Sequence, residues 1–425
     1  MPGRTWANSK RPPWRPGTWK FSSARDLHPM LITYAAPNRS HHYFYAAALA
    51  KAGCLKSFVC GFSRFSPRAL LPEVGDKLLR ADHLQNLYLA SMKLRLPTVI
   101  SEELAYQSKI WIDHLAKRPA RESDLFLFYN GAGLNTAGRL QSSGVIRVVE
   151  AVNCHVLVQE RILREEHERL GLPFRPFHRR ETARRVREYE IADAILCPSH
   201  FVKDSFVAEG FSRDRVFVVP YGLSLQTRAA PAGGAGDVFR VLYVGQIGVR
   251  KGLRYLFDAF ARLRHPKKEL WIAGPRTKQT GLEGLQSPEG TRFCGVLKGE
   301  QLAQAYLGAS VFVLPTIEEG LALVIGEALS FGLPVITTVN SGGADLFQDG
   351  REGFLVPIRA PEALAEKIRL LADDPALRGR MAGAARRRAA ELNGWETTGK
   401  NLVGALASMV RSGRKTSAVS GTEKW

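Results

Sequence analysis

A chain of 425 residues is about three times the usual single-domain length, so two domains with appendages is the starting expectation. Hydrophobic residues make up 45% and charged residues 24%, enough apolar material for two cores, which excludes collagen-like, mucin-like and wholly disordered chains. Sixty Lys and Arg against 40 Asp and Glu leave a formal charge of +20, a field that attracts nucleic acid, anionic headgroups or diphosphate-bearing substrates alike.

Residues 1–29 carry six Lys and Arg against one Asp, with Pro, Trp and no periodicity, and read as a disordered basic arm. They lack the apolar core of a secretory signal. From residue 30 onward, apolar runs of strand length at 31–34, 57–61, 125–129, 145–152, 194–198 and 216–221 alternate with helix-compatible stretches at 42–52, 82–94 and 160–169. The strands show no polar alternation, the pattern of a parallel sheet covered on both faces.

Residues 222–237, rich in Gly, Ala and Pro, read as a linker. The alternation then restarts, with strands at 239–245, 269–273, 291–295, 311–315 and 334–338 and helices at 251–264, 300–308 and 321–331. The expected fold is therefore α/β: two doubly wound Rossmann-like domains, 30–221 and 238–392, facing across a cleft at the carboxyl ends of their strands. Helices starting at Pro361 and Pro375 close the second domain. A helix over 393–412 is placed to cross back to the first domain, and 413–425 read as a frayed tail.

The longest uncharged runs, 301–317 and 328–344, are 17 residues each and broken by Gly, Pro, Ser and Thr, so no membrane-spanning helix is expected. Five scattered cysteines fit reduced, buried thiols in a cytoplasmic protein better than a disulfide framework or metal cluster. No D-x-D triplet stands near a plausible sugar site, and neither a phosphate-loop nor a G-x-G-x-x-G motif occurs. Zinc-type Cys/His spacing is also missing, so no metal is expected. The aromatics do not interleave with the basic runs, which argues against nucleic acid.

Two segments carry the chemistry. In VLYVGQIGVRKGL (241–253) a buried strand ends at Gly245, and Arg250-Lys251-Gly252 stands where a helix begins. Glycine permits close backbone approach, a helix start offers unpaired N–H groups, and two cations stand beside it, which together suit a diphosphate. The alternative is a strand–turn–helix with a solvated Arg-Lys pair. In VFVLPTIEEGLALVIGEALSFGLPVITT (311–338) a strand leads into Glu318-Glu319-Gly320, and Glu327 lies eight residues beyond Glu319 among apolar neighbours, where a carboxylate needs hydroxyl donors.

These phrases, with EYEIADAILCPSHFV, VFVVPYGLS and DGREGFLVP in the same order, resemble retaining glycosyltransferases of family 4 (glycosyl transferases group 1), which have the GT-B fold. The resemblance is densest over 185–395. It implies that Glu319 meets the donor sugar, that Glu327 meets the ribose, and that Lys251 and the amides of Gly320 and Leu321 grip the diphosphate. Gly245 and Gln246 line the same loop. Many relatives have Arg where Gln246 stands, and Arg250 is the candidate replacement. His155, at the end of VVEAVNCH, matches a histidine that faces the donor sugar in relatives. His41 and His42 replace part of the family's Gly-rich first loop, as acceptor contacts or as a helix start without chemistry.

The resemblance thus implies transfer from a nucleoside diphosphate sugar, without a further cofactor, to a carbohydrate or lipid-linked acceptor in polysaccharide or envelope synthesis. A degenerate, non-catalytic nucleotide- or polyanion-binding protein is the alternative. An anionic surface on the inner face of a membrane is a candidate partner, through the arm (net +5) or residues 376–415 (net +7).

Overall fold

The computed structural model describes residues 30–66, 68–69, 71–223, 238–392 and 394–419, with side chains described to Arg411. The expected basic arm, nearly all of the linker and the end of the tail lie outside the described residues.

Parallel pairing builds two sheets. In the first, β1 (Ile32–Ala36), β2 (Leu55–Cys60), β3 (Leu78–Arg80), β4 (Leu125–Tyr129), β5 (Ile146–Glu150), β6 (Ala194–Cys197) and β7 (Val216–Val218) stand in the order β3-β2-β1-β4-β5-β6-β7. In the second, β8 (Phe239–Val244), β9 (Lys268–Ala273), β10 (Thr291–Gly295), β11 (Val311–Leu314), β12 (Val335–Thr338) and β13 (Gly353–Val356) stand in the order β10-β9-β8-β11-β12-β13. The central strands are sealed on both faces, with Leu125 to Phe128 and Val311 to Leu314 all at 0% exposure. Strand order reverses between β1 and β4 and again between β8 and β11. Crossovers leave in opposite directions there, so the loops after those strands part and open a crevice.

Helices α1 (His42–Lys51), α2 (His83–Lys93), α3 (Thr98–Arg121), α4 (Leu134–Arg139), α5 (Val156–Arg169), α6 (Arg179–Ile191) and α7 (His200–Ala208) belong to the first sheet. The second carries α8 (Leu253–Ala261), α9 (Gly299–Leu307), α10 (Leu323–Ser330), α11 (Pro361–Asp373) and α12 (Pro375–Glu391). The sequence pattern marks α2 but not α3. The fully buried apolar side chains of α3 are Ile112, Ala116 and Ala120, and an alanine-rich contact leaves little hydrophobic signal.

The last helix, α13 (Trp395–Val419), runs past the 412 boundary read from the sequence and packs on α1 of the first domain. Trp395 stacks on Phe44 at 4.1 Å, and a Cβ at Gly399 would stand 2.5 Å from that of Ala48. The chain thus returns to the domain it began in.

Polar contacts join the two halves directly. Arg359, in the loop after β13 with φ +60°, donates from Nε to Glu166 Oε2 (2.7 Å), from Nη1 to Glu165 (3.1 Å) and from Nη2 to Ile162 O (2.9 Å) on α5. The Tyr255 hydroxyl on α8 adds a bond to Glu166 Oε1 at 2.8 Å. On the other flank, Ser199 Oγ donates to Gly320 O (2.5 Å) and the His200 amide to Asp345 Oδ2 (2.9 Å). Glu166 is fully buried, and Arg359 is the cation paired with it. Arg359→Ala should therefore destabilise the chain by about 3 kcal/mol. Adding Glu166→Gln to that variant should restore much of the loss in a chemical-denaturation comparison of the two single variants and the double variant.

Candidate active site

The loops after β8 and β11 leave neighbouring strands, with Val241 paired to Val311 and Leu242 to Phe312. After β8, Gly245 is followed by exposed Gln246, whose carbonyl accepts from the Tyr243 hydroxyl at 2.7 Å. A 3₁₀ turn, Val249–Lys251, then meets Gly252 at φ +65°. A Cβ on Gly252 would collide with Pro315 O, so both the dihedral and the close approach require glycine. The turn is stapled to the second loop by Ile317 N donating to Arg250 O at 2.8 Å and by Thr316 Oγ1 donating to the same oxygen at 3.2 Å. Lys251 thus belongs to the 3₁₀ turn, two residues before α8 begins, rather than to the first helical turn expected from the sequence.

The second loop brings the carboxylates. Lys251 Nζ is bonded to Glu319 Oε2, and Arg250 Nη2 lies 3.6 Å from the same oxygen. Arg250 Nη1 lies 3.2 Å from Glu318 Oε2. Burial and the adjacent Arg250 push the Lys251 ammonium down to about 7, with Glu318 pulling the other way. The amides of Gly320 and Leu321 donate to no backbone acceptor among the described residues. Leu321 precedes α10, which starts at Leu323, so these amides belong to the loop mouth and not to the helix proper. Glu327, inside α10, accepts from the Tyr306 hydroxyl on α9 at 3.0 Å. Burial pushes its carboxyl up, against the pull of that bond.

Glu318 escaped the sequence reading, which assigned a role only to its neighbour. It has 0% exposure and accepts from Gln159 Nε2 (2.8 Å) and the Cys154 amide (3.4 Å), both in the first domain, as well as from Arg250 in the second. The only signal in the sequence was the Glu-Glu doublet, which cannot say which carboxylate faces which domain. At the same junction, a Cβ on Gly320 would collide with Val152 O, so the halves touch backbone to backbone there.

His155 does not join this cluster. It caps α5, donating its amide to Ser205 Oγ at 2.8 Å, and its ring packs against Tyr189, Phe206 and Phe211. Cys154 and Gln159 of the same strand-to-helix turn point at Glu318, while the intervening imidazole turns into the aromatic core, its Nδ1 without a partner.

His41 and His42 gather elsewhere, around the carboxylate at the end of β5. His41 Nε2 lies 2.5 Å from Glu150 Oε1, His42 Nδ1 lies 3.2 Å from Oε2, and the Tyr34 hydroxyl donates to Oε2 at 2.7 Å. Burial pushes the Glu150 carboxyl up, but the two histidines outweigh it and hold the group ionised. Two His and a Glu are metal-ligand types. Here the nitrogens are already committed to the carboxylate and to Tyr34, and those hydrogen bonds account for the cluster.

Residues 238–374 match the family model described as glycosyl transferases group 1. The match takes in about a third of the chain, most of the second domain. The chain is similar to the sulfoquinovosyl transferase of Arabidopsis thaliana, 31% identical over 212 residues, covering 47% of this chain and 41% of that one. It is also similar to the D-inositol 3-phosphate glycosyltransferase of Streptomyces avermitilis, 32% identical over 262 residues, covering 55% and 56%. It thus spans about half the length of the curated relatives it matches. Among solved structures, sucrose-phosphate synthase from Thermosynechococcus elongatus superposes with a TM-score of 0.65 at 19% identity, over 90% of this chain and 100% of that one. Anabaena HepE, solved with UDP, superposes with a TM-score of 0.62 at 16% identity, over 89% and 100%. The described residues therefore have the GT-B fold, two Rossmann-like domains and their cleft.

His155 offers a check on this placement. Burial pushes its imidazole down to about 4 from 6.5, so the folded protein keeps it neutral while the unfolded chain takes up a proton as pH falls below 6.5. Its contribution is complete above pH 6.5 and is lost as pH falls towards 4, by about 3 kcal/mol. His155→Leu should lose less stability than the parent over that interval in denaturation at stepped pH. A steeper loss would contradict the buried, neutral placement.

Proposed function

We propose that the chain is a retaining glycosyltransferase that moves a sugar from a nucleoside diphosphate sugar to an acceptor hydroxyl. The observation that carries this reading is the convergence of Arg250, Lys251 and the free amides of Gly320 and Leu321 at the crevice beside β8 and β11. Fixed cations and amides at the carboxyl edge of a parallel sheet suit a diphosphate. In the absence of such a ligand the Glu319 carboxylate holds both cations. The group 1 match supports the reading, as does HepE, solved with UDP and with UDP-glucose.

In the proposed reaction the acceptor oxygen attacks the anomeric carbon on the face from which the diphosphate departs. The sugar–diphosphate bond breaks as the new glycosidic bond forms, and the hydroxyl proton passes to a leaving diphosphate oxygen. Lys251, Arg250 and the loop amides stabilise the charge that grows there. Arg250 takes the part that Gln246, a neutral side chain, cannot. Glu319 meets donor-sugar hydroxyls once its cations turn to the phosphates, and Glu327 meets the ribose. The acceptor is a carbohydrate or lipid-linked hydroxyl in polysaccharide or envelope synthesis, and the place of work is the cytoplasmic side of an anionic membrane.

A thermal-shift screen with UDP, GDP and ADP sugars tests the donor class, since a ligand at a hundred times its Kd stabilises by about 2.7 kcal/mol. Slow hydrolysis of the stabilising donor is the expected companion; binding without any turnover would leave a non-catalytic nucleotide-binding protein. Lys251→Ala should lower turnover by about 10²-fold or more, the scale for losing one preorganised charge-stabilising group.

The two carboxylates should separate in a titration with bare nucleoside diphosphate. Glu327→Ala weakens binding more than Glu319→Ala does, because a ribose contact persists in the ground state. The reverse order would exchange the two assignments.

A further inference from the structure

The α2–α3 hairpin is built inside out. In α2 the one buried residue is Ser91, which donates to Ser101 Oγ of α3 at 2.9 Å, and Ser108 of α3 donates to Gln85 of α2 at 2.9 Å. The two helices therefore meet through small and polar side chains. At the tip the apolar ones are left in the open: nine consecutive residues, 92–100, are exposed, and their sequence is Met-Lys-Leu-Arg-Leu-Pro-Thr-Val-Ile. Leu94 and Val99 are each 70% exposed, and Met92, Leu96 and Ile100 are exposed beside them, with Leu87 and Leu89 one and two turns back along α2. A helix pair that lives in water buries its leucines and shows its serines. A contiguous apolar tip of this kind marks a surface that meets another apolar phase.

Position and charge say which phase. Cys60 pairs with Arg80 at the carboxyl ends of β2 and β3, and α2 starts three residues later, so the hairpin leaves from the edge of the sheet that carries the cleft. Only the later part of α3, from Ile112 to Ala120, lies in the core against the sheet. Its first three turns, about 16 Å of helix, pair with α2 and are tied to residues 175–180 by Glu102–Arg175, Glu103–Arg180 and the Tyr106–His178 ring contact, which leaves the tip as the exposed part of the hairpin. The charged residues between 84 and 101 are Lys93 and Arg95, both exposed and both at the tip, with no acidic residue among them. Glu102 and Glu103 follow, but they are paired with Arg175 and Arg180, so a second copy docking tip to tip would bring two Lys93 and two Arg95 together without a free counter-charge, which an isologous contact does not tolerate well. Apolar side chains interleaved with cations fit the headgroup–acyl boundary of an anionic bilayer.

We infer that the α2–α3 tip, residues 92–100, is a membrane-docking element that inserts its apolar side chains into an anionic phospholipid surface and sets the cleft edge of the first domain against the bilayer. This rests on the membrane attachment proposed above and replaces its surface, since the sequence pointed to the basic arm and to residues 376–415.

The experiment is co-sedimentation of the full chain with vesicles of phosphatidylcholine and phosphatidylglycerol, with pure phosphatidylcholine vesicles alongside. Parent protein is compared with Leu94→Glu/Leu96→Glu, whose sites are exposed, so an unchanged thermal midpoint is expected. The parent binds the anionic vesicles and keeps part of that binding at about 0.5 M salt, where screening shortens to a few ångströms. The variant binds at least about tenfold more weakly and keeps none at that salt. Equal binding by parent and variant would overturn the hairpin and leave attachment to the basic segments. Parent protein that stays in the supernatant at low salt would overturn membrane attachment altogether. A parent dimer in light scattering that the variant abolishes would assign the tip to a second copy instead.

Discussion

A carboxylate sealed from water must find its donors within the protein, and Glu318 finds them in both domains. Gln159 and the Cys154 amide reach it from the first, Arg250 from the second. That single group makes the position of Arg250 depend on how the halves meet. The backbone contact beside it leaves no slack, because Gly320 lies against Val152 O without room for a Cβ. Domain contact and the geometry of the cation pair are thus one property.

The second consequence concerns charge. Lys251 and Arg250 share Glu319, so two cations and one exposed-side carboxylate stand at the crevice, with Glu318 behind them. Burial and Arg250 together lower the Lys251 ammonium to about 7, against the pull of Glu318. Away from this cluster, Glu166 ties α5 to the second domain through Arg359 and Tyr255.

Much of this was legible in the residues. The strand and helix alternation in 239–338 maps onto β8 to β12 with boundaries within a few residues, because strands buried on both faces are unbroken apolar runs. The Lys251-Gly252 and Glu319-Gly320 pairs stood out because each glycine meets a steric demand that no other residue satisfies. The α3 helix was not legible, since its packed face is mostly alanine, nor was the role of Glu318, one position from a residue of the same type. His155 had the expected position in the chain, but its ring turns into the aromatic core rather than to the cleft.

What the sequence by itself determined is local: where strands run, where glycine must stand, and which loops carry cations and carboxylates. These follow from periodicity and backbone sterics, which act over a few residues. Which side chains meet was decided by tertiary structure. Glu318 meets Gln159 across 159 residues of chain, and Arg359 meets Glu166 across 193, distances over which no local pattern carries information. The outward face of the α2–α3 hairpin belongs to the same class. The sequence marks 82–94 as helix-compatible without saying which face is buried, and the serine contact and the exposure of Leu94 and Leu96 supply that.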